Sequence, residues 1–300
     1  MIDTIRKYPG VFSQDLVQST DNEAIRIIAQ VKSKGSKLQQ DSFYLMESHL
    51  AVRKLFQLGL RKEAVALSQD VIHNADWFQH FNIAQDICKL LVRNAYLVED
   101  LEEIRLYDEM YKHYTEIIQL EYESQIIYGD LLYNYDRGLP IEKQDILNNL
   151  SVIKQKLKTT NCMIYYYYYQ CLLMLAEEDE RKDVCMEAID YYDNLYFLHT
   201  AFISIFVGKL INYYLDSEDL VRSEALILKH LPECEEGGSP WFRFKRTLVD
   251  LNFKKGNIPQ ALRYCDYVIA TPKFKGLSSQ DQNEWNIVKE QLKEALINAY

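Results

Sequence analysis

Side chains able to do acid–base, metal or nucleophilic chemistry are present in number but dispersed. Six histidines stand at 49, 73, 80, 113, 199 and 230. His73 and His80 are seven residues apart, with an expected turn at Asn74–Asp76 between them. There is no HExxH zinc motif, no GxSxG nucleophile elbow and no glycine-rich phosphate loop. The six cysteines, at 88, 162, 171, 185, 234 and 265, form no CxxC pair and no metal-ligand spacing. They read as buried free thiols of a reducing compartment. Carboxylates come in runs at Glu102–Glu103, Glu177–Glu180 and Glu235–Glu236, on expected helix ends and loops, where solvation is the simplest role. The expectation is a chain that is not an enzyme, with no catalytic residue, no cofactor and no metal.

The oddest local feature is Tyr165–Tyr169, five tyrosines in a row among 23 in the chain. Five consecutive helical residues point all round the axis, so some must enter a core and others a groove or solvent.

The elements that would carry these residues are helices. From Tyr44 to Leu58 the residues Leu45, Ser48, Val52, Leu55 and Phe56 recur at helical spacing, and Ala64, Leu67 and Val71 follow on a second helix. The pair returns at Trp241–Phe253 and Pro259–Ala270, with Pro259 in a first turn and Pro272 past the end. Both turns place glycine five residues before alanine: Gly59 with Ala64, and Gly256 with Ala261. The two alanines lie 197 residues apart, about five steps of 39. Intermediate breaks fall at Tyr96–Asp100, Tyr135–Pro140, Glu177–Glu180 and Asp216–Asp219. They predict helices over about 78–97, 101–120, 122–136, 141–158, 162–176, 181–194, 199–215 and 220–230. A last helix over 280–298, with Trp285, Val288, Leu292 and Leu296 on one stripe, reads as a cap. Residues 1–40 form a separate N-terminal stretch with a helix near 21–33 and a loop at Gly35, and 41–300 form the array. Gly237–Pro240 reads as a loop within it.

Gly59, Gly256, Ala64, Ala261 and Pro272 match positions of the tetratricopeptide repeat, and the chain resembles a divergent, long-period member of that class. The strings KKGNIPQALRYCDYVIATP at 254–272 and QLGLRKEAVALSQDVI at 57–72 carry the likeness. The middle units lack the signature, and the tryptophan that leads the first helix has no counterpart. The resemblance implies an all-α, right-handed α-α superhelix of about six helix pairs plus the cap. It also implies that the first helix of each pair lines a concave face, and that the chain is a scaffold or the peptide-sensing part of a regulator. On that implication Tyr128, Tyr165, Tyr169, Phe202, Phe206 and Tyr213, from successive first helices, are the candidate partner-binding residues.

The net charge of −10 disfavours nucleic acid and anionic membranes as partners. The basic stretches Lys32–Lys37 and Lys154, Lys156, Lys158 are sparse. No leader segment or membrane span is apparent, which makes the cytoplasm the expected location. The functional expectation is a non-catalytic scaffold that binds a protein or peptide. The alternatives are a ligand- or peptide-sensing regulator, and a module that self-associates through aromatic surface near Trp285.

Overall fold

Backbone geometry at the turns repeats more faithfully than the residues that occupy them. A computed structural model describes residues 37–157, 161–195 and 199–298. The expected helix at 21–33, the loop at Gly35, most of the first basic stretch and Lys158 lie outside these. The described residues contain twelve α-helices and no strand. They are α1 (Lys37–Gln57), α2 (Arg61–Trp77), α3 (Phe81–Leu97), α4 (Leu101–Asp136), α5 (Lys143–Lys156), α6 (Cys162–Leu175), α7 (Arg181–Asp193), α8 (His199–Asp216), α9 (Leu220–His230), α10 (Ser239–Lys254), α11 (Ile258–Ala270) and α12 (Ser279–Asn298). None of them is long and apolar enough to cross a membrane.

Six turns close alike. Residues 59, 79, 99, 138, 218 and 256 all have φ between 57° and 73°, in the left-handed region. In each, the next residue donates its N–H to the carbonyl five positions back, at 2.7–3.1 Å (Leu60 to Leu55, Asp100 to Ala95, Asp219 to Tyr214). This is the Schellman closure, which satisfies carbonyls left over at a helix end. Only three of the six residues are glycine; Gln79, Glu99 and Glu218 hold the same conformation with a side chain. At three turns the residue after the left-handed one also caps the next helix. The Asp100 carboxylate accepts from the Glu102 and Glu103 N–H groups, Asp219 from Arg222, and Asn257 from Gln260. Five residues beyond four of these turns stand Ala64, Ala84, Ser223 and Ala261, all fully buried. A small side chain there lets the second helix lie close on the first.

One expected break is missing. The sequence pattern divided 101–136 into two helices, but α4 runs through as 36 residues. That is about 54 Å at 1.5 Å per residue. Neither glycine nor proline stands near residue 121, so nothing in the sequence ends the helix where the period alone would place a break. Likewise α2 continues through Asn74–Asp76 to Trp77, and the turn comes at Phe78–His80.

The chain divides into two units, Met1–Ile164 and Tyr165–Tyr300, with the division inside α6. In the first, Leu45, Val52, Ala64, Val71, Phe81, Ile87, Leu91, Tyr107 and Tyr114 form the main core, and Leu120, Ile153 and Ile164 a smaller one. Polar bridges tie its helices together. Asp86 on α3 meets His49 and Arg53 of α1 at 2.6 and 2.5 Å, and Arg61 at the start of α2 reaches Asn94 and Glu103. In the second unit, α10, α11 and α12 close on Trp241, Phe242, Val249, Cys265, Val268, Trp285 and Leu292. Most consecutive helices pack together, and some alternate ones also touch: α1 with α3, and α8 with α10.

Candidate functional site

The tyrosine run fills space before it offers surface. Tyr169 is buried and Tyr165–Tyr168 are half-buried on α6. Tyr165 stacks on Tyr191 of α7 with centroids 4.0 Å apart and planes 18° from parallel. Tyr192 of α7 stacks on Phe202 and Phe206 of α8 at 5.7 and 5.8 Å, and Tyr169 meets Phe206 edge-on. Offset and edge-to-face contacts of this kind add to the burial of large apolar area. The Tyr169 hydroxyl donates to Glu187, and burial pushes its pKa well above the usual phenol value.

Four of the six candidate residues, Tyr165, Tyr169, Phe202 and Phe206, therefore meet in one cluster. Tyr169 and Phe206 are enclosed by it, which departs from the groove position expected for them. Tyr213 is half-buried farther along α8, its ring 5.8 Å from Tyr214. Tyr128 is half-buried on α4, in the other unit.

The opening on this face lies beside that cluster. Tyr166, Gln170, Ile205, Gly208, Lys209, Asn212, Arg243 and Thr247 line a cleft of about 370 Å³ between α6, α8 and α10. Tyr166 and Gln170 are one residue on from Tyr165 and Tyr169, which is about 100° round the helix. None of the six candidate residues lines this cleft, although α6 and α8 carry five of them. Gly208 sits in the interior of α8, where glycine costs about 1 kcal/mol against alanine. A Cβ there would come within 3.2 Å of the Arg243 Cδ, so the arginine stem lies across the bare backbone. Gln170 is 6% exposed, and among the described residues its side chain makes no hydrogen bond. Thr247 donates its hydroxyl to the Arg243 carbonyl at 2.9 Å. Lys209 and Arg243 are exposed, and neither forms an ion pair among the described residues.

A second cleft, also about 370 Å³, adjoins it between α10 and α12, with Arg243, Arg246, Asp281, Glu284 and Trp285 among its lining residues. Arg243 lines both. Arg246 is already held, over the Trp285 ring at 5.8 Å and 3.5 Å from Asp250. Asp281 accepts from the Ser278 hydroxyl and Glu284 from the Gln280 amide; neither is ion-paired among the described residues.

The thiols carry no comparable chemistry. Five are buried and Cys234 is half-buried, all free. Burial pushes the Cys88 and Cys171 thiols up to about 12 and the other four to about 11, so thiolate is scarce at neutral pH. His230 is buried at the end of α9; burial, then Lys229, lowers its pKa. No group of three or more metal-ligating side chains converges among the described residues.

A scan against protein-family models gives no match, and a search of curated proteins gives none.

Proposed function

We propose that the chain is a non-catalytic module that binds an extended peptide or protein segment across α6, α8, α10 and α12. The observation that carries this reading is the pair of adjoining clefts that share Arg243. They open along the first helices of successive pairs and the capping helix that follows them, the face that a tetratricopeptide-like array uses for its ligands. Contacts between α1 and α3, and between α8 and α10, support such an array, with the pairs of each unit wound in the right-handed sense. A peptide laid across these helices would find polar groups at intervals with apolar ring surface beside them. The self-association alternative loses its main support, because Trp285 is only 5% exposed.

Photo-crosslinking tests the reading. A benzophenone side chain at position 212, in the first cleft, should capture a partner in the expressing cell. The same group at 221, on the exposed side of α9, should not. Capture from 221 alone, or equally from both positions, would contradict it.

A further inference from the structure

Resting on that reading, we infer that the ligand is a linear peptide bearing both charges. An acidic residue sits at Lys209 and Arg243, and a basic residue about five or six positions away sits at Asp281 and Glu284.

The first half of this follows from charges left unanswered. Nearby cations are engaged: Lys254 and Lys255 reach Asp216 and Glu224, and Arg246 reaches Asp250 and Trp285. Lys209 and Arg243 are the cations of the first cleft, and no carboxylate among the described residues pairs with them. Beside them stands Gln170, a residue 6% exposed that lines the same cleft and whose side chain makes no hydrogen bond among the described residues. A guanidinium fork, an ammonium and an amide N–H converge on what an incoming carboxylate accepts from. The chain as a whole carries −10, so an acidic residue gains at these two cations what most of the chain does not offer it.

The second half follows from the neighbouring cleft. Across Arg243 the unpaired groups change sign to Asp281 and Glu284, both exposed on α12. A purely acidic peptide that continued past Arg243 would meet two carboxylates. A peptide that switches to lysine or arginine there answers them. Lys209 lies on α8 and Glu284 on α12, two helix spacings apart with α10 between. Packed helices lie about 8–10 Å apart, so two spacings are at least about 18 Å, which an extended chain covers in no fewer than about five or six residues at 3.3 Å each.

Selection from a phage-displayed library of random twelve-residue peptides on the immobilised full chain tests the inference. Enriched peptides should pair an acidic and a basic residue four to seven positions apart. A fluorescein-labelled member should lose at least tenfold in affinity to Arg243→Ala. Glu284→Lys should weaken that peptide and favour its variant with the basic residue changed to glutamate. Lys62→Glu, on α2 of the first unit, should leave affinity within twofold. Circular dichroism would verify that each variant keeps its helix content. Enriched peptides without the charge pair, or affinity unmoved by Arg243→Ala, would overturn the inference while leaving the groove reading intact. A library that yields no binder would overturn both.

Discussion

Glu99 and Glu218 hold a backbone conformation that glycine adopts freely and that costs other residues about 1–2 kcal/mol. No contact visible in the structure explains the glutamates there. Glu99→Gly and Glu218→Gly should each stabilise the chain by about 0.5–1 kcal/mol in urea unfolding, whereas Gly59→Ala should cost about 1 kcal/mol. The opposite signs would show that the six turns do not share one geometry. The thiols set a second residue-level expectation. Their folded pKa values, about 11 to 12, lie above the 9.0 of a free thiol. Below pH 9 both folded and unfolded states hold the proton and the contribution is intact. Above it the unfolded chain releases protons that the folded chain keeps, so stability falls as pH rises from 9 toward 12. Cys171→Ala should make that alkaline decline shallower, measured as unfolding midpoints between pH 8 and 10.5. An unchanged slope would mean that Cys171 is not sealed from water.

At the scale of elements, α4 gives the sharpest test. Gly129 lies in its interior, and a Cβ there would meet nothing within 4 Å. If the helix is continuous, Gly129→Ala should stabilise by about 1 kcal/mol; a loss of stability would place a bend or turn there. The pairing of helices was legible in the sequence because apolar spacing at 3.6 residues survives where turn signatures do not. Gly59 and Gly256 were recognisable because glycine marks the left-handed position. Glu99 and Glu218 were not, since glutamate carries no such mark. Yet Glu-Asp at 99–100 recurs at 218–219, with the aspartate closing one helix and capping the next, and that recurrence was available. The fused helix was illegible to a period argument, which supplies breaks whether or not residues encode them. The cleft was half legible. The helices that line it were identifiable, but their rotation depends on which tyrosines the core accepts. Tyr169 and Phe206 went inside, and Gln170, Lys209 and Arg243 were left facing the opening.

At the scale of the molecule, a net charge of −10 sits on a chain whose second unit keeps two unpaired cations in a cleft. The net negative charge disfavours non-specific anions, and the cleft offers an acidic residue of a ligand two cations without a carboxylate partner among the described residues. Selectivity of that kind depends on position and sign more than on area buried. The most direct measurement is therefore capture by position. With benzophenone at 212 and at 221 in parallel, one partner should be crosslinked from 212, be absent from 221, and disappear from 212 when Arg243→Ala is added. Equal capture from 221, or capture at 212 that Arg243→Ala leaves unchanged, would contradict binding across the first helices of the pairs.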